Sequence, residues 1–206
     1  PSETRRQLVV EAVLSRGHSA YYDRLNKALQ EVVKLVDIPV TIYRTHIEAG
    51  HSSKVAKYLK EISENRDGII LFAGDFPEVA DAIKTIVNKT VVITISTDIT
   101  NCDRHCYIGI DNYNAGKSVA KISEAICRKG GKVLVITPEY MAKSQVERFN
   151  GFSKFFDEIG FSNKVVFFRR GRKPDADLEN LFKTLKRNSD TRVLYSPIND
   201  KFLELV

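Results

Sequence analysis

One short stretch carries residue types that could bind a phosphate. Gly116-Lys117-Ser118 looks like the end of a phosphate-binding loop between two apolar segments. Such a loop needs four residues between its first glycine and the Gly-Lys-Ser triplet, so that consecutive backbone N–H groups surround the phosphates. Asp111 stands where that glycine should be. We therefore expect no phosphate loop here, but an ordinary first helical turn with Asn114 as its N-cap.

A second stretch, "CDRHC", could suggest a metal. It places Cys102, His105 and Cys106 close together, but structural zinc needs four ligands, normally in two spaced pairs, and the sequence contains no second pair. Gly-x-Ser-x-Gly, His-Glu-x-x-His and Gly-x-Gly-x-x-Gly are absent, and no paired carboxylates are placed for sugar hydrolysis. The sequence thus predicts no catalytic residue, metal or cofactor, and a protein that is not an enzyme.

Polar segments that follow apolar, strand-like runs are more informative. The segments are "RGHSAYY", "AGDFP", "STDITN", "TPEYMAKSQVERFNGF" and "SPIND". In open α/β sheets, ligands bind in the crevice at the carboxyl ends of the strands. Hydrogen-bonding groups concentrated in these five segments therefore indicate a small-molecule site.

The elements that must position these segments alternate between strands and helices. Apolar runs predict strands over 8–14, 40–43, 68–72, 91–95, 133–136, 165–168 and 193–195, with helical spacing between them. This alternation favours parallel sheets covered by helices on both faces. The pattern restarts after Asp111, so we predict two Rossmann-like lobes, 1–110 and 111–206, joined at the "DNYN" crossover.

Two helical stripes show how the helices should pack. Tyr22, Leu25 and Leu29 fall on one face of the first helix, which makes Tyr22 a core residue. In the helix after the crossover, the residues at helical spacing form an apolar stripe of Ala115, Val119, Ile122 and Ile126.

Composition limits the function classes. The 206 residues are 43% hydrophobic, and no run of about 18 apolar residues or secretory signal is present, which predicts a globular protein that does not enter a membrane. The net charge is +6, but the basic residues are dispersed; the one cluster, "FFRRGRKP", is either a nucleic-acid contact or a solvated turn. Three cysteines are an odd number, which favours reduced thiols in the cytosol, although a processed periplasmic protein would also lack its signal.

Three motifs, in order along the chain, resemble the effector-binding domain of the lactose-repressor/galactose-repressor family. "YIGIDNYNAGKSVA" looks like the family's Val-Gly-Ile-Asp-Asn segment with its Ala-Gly-Lys helix start. "SQVERFNGF" looks like its Ser, then Glu-Arg-x-x-Gly-Phe motif, and "SPIND" like its late Asn-Asp. The resemblance covers nearly the full chain and implies the periplasmic-binding-protein-like fold, with two lobes joined by a hinge that close on a small ligand, commonly a sugar.

The resemblance implies specific ligand contacts. Arg148 matches the family arginine that donates to sugar hydroxyls, with a surface salt bridge as the alternative. Asp200 matches the late aspartate, and Tyr21 the aromatic residue that stacks on the ligand.

Polar residues after the third and fourth strands complete the predicted site. Asp75 and Asp98 match polar positions of the family, but each could instead be a turn or N-cap aspartate. Ser96 stands where many relatives carry an aspartate, which leaves the identity of the sugar open. His18 adjoins the proposed cleft as either a ligand donor or a solvated histidine.

By this resemblance, the expected function is that of the effector-binding domain of a bacterial transcription regulator: cytoplasmic, homodimeric, and attached to DNA through an N-terminal helix-turn-helix not present here. The alternative is a periplasmic sugar-binding protein of an ABC transporter. The resemblance also implies that a C-terminal part of the fold is missing after Val206.

Overall fold

The computed structural model describes residues 6–16, 20–48, 50–139, 141–171 and 174–198. The chain forms two compact units that divide between Gly109 and Ile110. None of the described helices combines the length and apolar character needed to cross a bilayer.

The first unit is a five-stranded parallel sheet with three helices. Its elements are β1 (Leu8–Arg16), α1 (Ala20–Val32), β2 (Val40–Glu48), α2 (Ser52–Ile62), β3 (Gly68–Phe72), α3 (Pro77–Ile86), β4 (Val91–Ile95) and β5 (Cys106–Ile108). The strand order is β2-β1-β3-β4-β5, and every neighbouring pair is parallel. The carboxyl ends of β1, β3 and β4 are therefore adjacent.

Successive side chains of β1 point to opposite faces of the sheet, and the core of this unit is divided between those two faces. Val13 packs with α2 and α3 in one apolar cluster, whereas Ala12 and Leu14 pack with α1 in a second. Tyr22 is 8% exposed and belongs to the α1 cluster, which confirms its predicted core position. Buried apolar residues on both strand faces are typical of a parallel sheet covered on both sides.

The second unit repeats the architecture with three parallel strands. Its elements are α4 (Asn112–Cys127), β6 (Lys132–Thr137), α5 (Lys143–Glu158), β7 (Val165–Arg169), α6 (Pro174–Arg187) and β8 (Thr191–Tyr195), and the strand order is β7-β6-β8. Residues of α4 and α5 cover one face of β6, and Leu181 of α6 lies in the cluster on the other face. The predicted α/β class, with parallel sheets in two groups, is confirmed.

The end of β2 and the N-cap of α4 differ from the predictions. Strand β2 extends to Glu48, five residues beyond the predicted end. Helix α4 begins at Asn112, and its N-cap is Asp111, whose side chain accepts a hydrogen bond from the backbone N–H of Asn114 at 2.9 Å. This hydrogen bond and one from the Asn114 side chain hold the pKa of Asp111 below its usual value.

Two of the four residues in the predicted apolar stripe of α4 are exposed. Ile122 is 63% exposed and Ile126 is 49% exposed. The helix buries a different face, made of small and polar residues: Asn112, Gly116, Ala120, Ser123 and Cys127. Small residues allow a closer approach to α5 than the isoleucine stripe could, so close packing decides which face is buried.

Candidate functional site

Three of the predicted residues follow the adjacent strands β3 and β4 in the first unit. Asp75 lies after β3, and Ser96 and Asp98 lie after β4. Tyr21 is the second residue of α1, the helix that follows β1. Because β1, β3 and β4 are parallel neighbours, the structure brings these four residues to the same end of one sheet.

The ring of Tyr21 is available to a ligand. It is 48% exposed, and its edge packs against Phe72, the last residue of β3, with ring centroids 6.2 Å apart at 82°. An aromatic face fixed in this way suits the C–H face of a sugar.

Both carboxylate oxygens of Asp75 accept hydrogen bonds from the loop after β4. Oδ1 accepts a hydrogen bond from the backbone N–H of Thr100 at 2.7 Å, and Oδ2 accepts one from the Thr100 hydroxyl at 2.5 Å. Asp75 therefore joins the loop after β3 to the loop after β4.

Asp98 organises its own loop. Its Oδ1 accepts hydrogen bonds from the Thr94 hydroxyl at 3.1 Å and the Ile99 backbone N–H at 2.9 Å. Its Oδ2 accepts one from Arg104 Nη2 at 2.6 Å, in an ion pair where the Asp98 side chain is 18% exposed. These bonds match the turn role that the sequence left open, and they leave ligand contact by Asp98 as a prediction.

Ser96 occupies an unusual backbone conformation. Its φ of 66° lies in the left-handed region, which non-glycine residues rarely adopt. Its N–H donates to the Ile108 carbonyl at 3.0 Å, and its own carbonyl accepts from the Tyr107 hydroxyl at 3.1 Å. These contacts with β5 residues hold the turn at the end of β4.

In the second unit, Arg148 is fixed by three hydrogen bonds. Nε donates to Asn112 Oδ1 at 3.0 Å and to the Ser144 carbonyl at 3.2 Å, and Nη1 donates to the Pro197 carbonyl at 2.8 Å. The guanidinium group therefore connects the start of α4, the start of α5 and the segment after β8. Within the part of the chain that the structure describes, Nη2 has no acceptor.

Two glycines explain why Arg148 and Asn112 meet. A Cβ at Gly116 of α4 would lie 1.9 Å from the Arg148 carbonyl oxygen, and a Cβ at Gly151 of α5 would lie 2.0 Å from the Tyr113 carbonyl oxygen. The two helix backbones are thus in direct contact, as only glycine permits. Their contact places Asn112, which is 4% exposed, beside the guanidinium group.

The sequence prediction did not include Asn112. Its signal is its place one helical turn before Gly116 in "DNYNAG", on the α4 face that meets α5. Asp200, by contrast, lies outside the described residues, as does His18. The described part of "SPIND" ends at Ile198 and includes Pro197, whose carbonyl accepts a hydrogen bond from Arg148.

The "CDRHC" residues make local contacts. Cys102 is buried, and its thiol donates to the Ile99 carbonyl at 3.2 Å, while His105 Nδ1 accepts from the Val92 backbone N–H at 3.2 Å. Among the residues that the structure describes, no group of His, Cys, Asp and Glu side chains is arranged to hold a metal ion.

The match to a known family covers most of the chain. The family described as the periplasmic binding protein domain matches residues 11–202, and the chain belongs to this family. No curated protein sequence matches the chain.

Solved structures of low sequence identity share the fold. GanP, a glucose-galactose binding protein from Geobacillus stearothermophilus, is 20% identical with a TM-score of 0.72, over 93% of this chain and 69% of GanP. An ABC transporter solute binding protein from Burkholderia graminis in complex with D-arabinose is 19% identical with a TM-score of 0.75, over 93% of this chain and 66% of that protein. A protein from Bacteroides fragilis described as a LacI transcriptional regulator is 17% identical with a TM-score of 0.78, over 97% of this chain and 74% of that one. These matches confirm the fold that the motifs implied.

Proposed function

We propose that this domain binds a monosaccharide or a closely related sugar derivative through Arg148. The observation that carries the proposal is the guanidinium group held at the carboxyl ends of β6 and β8, with Nη2 left without an acceptor among the described residues. A guanidinium group fixed by bonds to its own protein loses little entropy when it donates to a ligand, so its affinity for hydroxyl oxygens is high.

The residues of the first unit supply complementary chemistry. Tyr21 offers an aromatic face, and the predicted contacts Asp75, Ser96 and Asp98 lie at the same end of its sheet. Because both aspartates already accept hydrogen bonds from their own unit, we infer that they orient the loops and reach the ligand only with their remaining lone pairs. Asp200 stays in the proposal as a family-implied contact.

Solved relatives in fold support a sugar as the ligand. GanP is a glucose-galactose binding protein, and the Burkholderia graminis protein was solved with D-arabinose. A monosaccharide presents both hydroxyls and a C–H face, which are the two surfaces that a guanidinium group and a tyrosine ring recognise.

We further propose that the domain senses this sugar for a cytoplasmic transcription regulator, working as a homodimer that binds DNA through an attached helix-turn-helix. The Bacteroides fragilis regulator shares its fold over 97% of this chain. All three cysteines are free thiols, and Cys106 is exposed, which suits a reducing compartment. The sugar would have to prefer one conformation of the regulator over the other, because equal affinity shifts no equilibrium.

Transport is the second candidate function. The GanP and Burkholderia graminis structures are named as a binding protein and as a transporter solute binding protein, and both cover 93% of this chain. The two candidates differ in what the natural gene encodes before Pro1. A helix-turn-helix and sugar-dependent operator binding by the full natural protein support the regulator, whereas a signal peptide and export to the periplasm contradict it.

Sugar binding is tested by isothermal titration calorimetry of the chain with D-glucose, D-galactose, D-arabinose and D-fructose, and with the phosphates of the hexoses. We expect at least one of them to bind and to raise the melting temperature. A ligand present at 100 times its dissociation constant stabilises the native state by about 2.7 kcal/mol. The absence of binding and of any thermal shift across the panel would contradict the proposal.

A further inference from the structure

Tyr195, the last residue of β8, is a buried tyrosine next to the proposed ligand arginine. Its residue exposure is 9%, and its ring stacks on Phe152 with centroids 4.5 Å apart and planes at 21°. Phe152 lies one helical turn after Arg148 on α5, so both side chains project from the same face of that helix. Tyr195 therefore lies against the α5 face that carries Arg148.

The hydroxyl group of Tyr195 has no hydrogen-bond partner within the described part of the chain, although its oxygen is shielded from solvent. Buried hydroxyl groups nearly always have a partner, because a missing hydrogen bond costs stability. Burial raises the pKa of Tyr195, while the charge of Arg148 lowers it less strongly. The phenol therefore stays protonated at neutral pH and can donate a hydrogen bond.

The donors of Tyr195 and Arg148 lie at the same end of β8. Arg148 Nη1 donates to the carbonyl of Pro197, two residues after Tyr195, and Arg148 lies one helical turn before Phe152, on which the Tyr195 ring stacks. Two donors, the Tyr195 hydroxyl and Arg148 Nη2, are thus without an acceptor among the described residues at one place in the second unit.

We propose that the Tyr195 hydroxyl is a ligand contact, which donates a hydrogen bond to an oxygen of the bound sugar beside Arg148. The proposal rests on the proposed sugar-binding function and adds a residue that selects for an oxygen acceptor at this position. The acceptor is a sugar hydroxyl, a ring oxygen or the carboxylate of a sugar acid, since each has lone pairs free to accept.

Replacing Tyr195 with phenylalanine tests this role, because it removes the hydroxyl oxygen and keeps the ring on Phe152. The wild type and Y195F are titrated in the calorimeter with D-glucose, D-galactose, D-arabinose and D-fructose, and with D-galacturonate and D-gluconate. We expect Y195F to bind the ligand of the wild type about 5- to 10-fold more weakly. Without ligand, Y195F should melt at the same temperature as the wild type or higher, because it removes a buried group that has no partner. An acid that outbinds its neutral sugar in the wild type, with the preference lost in Y195F, identifies a carboxylate as the acceptor.

Tyr58→Phe is the matched control. The Tyr58 hydroxyl donates to the buried Glu11 at 2.9 Å and shares a hydrogen bond with Thr45 at 2.7 Å. Y58F should therefore lower the melting temperature and leave sugar affinity unchanged, the opposite of Y195F. Unchanged affinity in Y195F, or a fall in its ligand-free melting temperature as in Y58F, overturns the inference. If the wild type binds none of these compounds and none of the hexose phosphates, the proposed function itself is wrong.

Discussion

Arg148 combines a structural role with its proposed role in ligand binding. Two of its nitrogens are committed to Asn112, Ser144 and Pro197, while Nη2 has no acceptor within the described residues. These hydrogen bonds orient the guanidinium group, and in the proposed function the remaining donors bind the sugar. A surface salt bridge, the alternative that the sequence left open, is not formed with any described carboxylate.

Arg148→Ala should reduce sugar affinity about 10- to 100-fold, because it removes charge-assisted hydrogen bonds to the ligand. Arg148→Lys should restore little of this affinity, since an ammonium group cannot reproduce the guanidinium geometry. Titration calorimetry measures both variants, and circular dichroism checks that they are folded.

Arg128→Ala is the control for the Arg148 variants. Arg128 is 70% exposed and pairs with Glu124 one turn earlier on α4, so its loss should leave affinity unchanged. Equal affinity of R148A and the wild type would remove Arg148 from the site.

Glu11 is a buried carboxylate whose role belongs to stability. It is 1% exposed, and it accepts hydrogen bonds from Thr45 at 2.6 Å, Tyr58 at 2.9 Å and Arg66 at 2.8 Å. Burial raises the pKa of Glu11, but these three partners outweigh it and hold the pKa below the usual 4.5. Because the folded-state pKa is lowered, the stabilisation is present above pH 4.5 and is lost as the pH falls through the folded-state pKa.

Glu11→Gln should lower the free energy of unfolding by about 2 kcal/mol at pH 7, because it weakens charge-assisted hydrogen bonds to a buried group. The difference from the wild type should shrink as the pH falls below 4.5. Urea unfolding at several pH values measures it. The control is Glu61→Gln, because the Glu61 side chain is 57% exposed, and its free energy of unfolding should differ far less from the wild type at every pH. A difference between E11Q and the wild type that stays constant with pH would contradict the lowered pKa of Glu11.

At the scale of elements, the contact between α4 and α5 decides where the second-unit residues lie. Gly151→Ala would place a Cβ 2.0 Å from the backbone carbonyl of Tyr113, which cannot rotate away. In an exposed helix the same change would stabilise by up to ~1 kcal/mol. Here the clash should reverse the sign and destabilise by about 1–3 kcal/mol.

The same variant should weaken sugar binding, because separating α4 from α5 moves Asn112 away from Arg148. Thermal unfolding and calorimetry of G151A give the two readouts. Asn150→Ala, an exposed position on the same helix, should change neither. A G151A variant with wild-type stability would show that the helices tolerate a wider spacing.

Whether an element could be predicted depends on the sequence feature that marks it. Strands β3 and β4 were predicted at their observed bounds because continuous apolar runs ended at polar or turn residues. The end of β2 was missed because Arg44, His46 and Glu48 are polar, and an edge strand tolerates polar side chains on its solvated side.

The error in α4 has a different physical origin. Hydrophobic spacing selected Ile122 and Ile126 for the core, but the helix faces α5 with Gly116 and Ala120. Periodicity measures the apolar character of a face and carries no information on how closely another backbone approaches. For the same reason Asn112 was not predicted from the sequence. Arg148 was predicted because it belongs to a motif defined by residue types and their spacing.

At the scale of the whole molecule, each compact unit has its own apolar clusters. Differential scanning calorimetry should therefore resolve two unfolding transitions. E11Q should lower the transition temperature of the first unit and G151A that of the second, which assigns each transition to its unit. A sugar that binds the proposed contact Arg148 should raise the transition of the second unit, because it stabilises the native state of that unit. R148A should reduce this rise at the same sugar concentration, since it binds the sugar more weakly. An equal rise in R148A and in the wild type would contradict the assignment of Arg148 to the site.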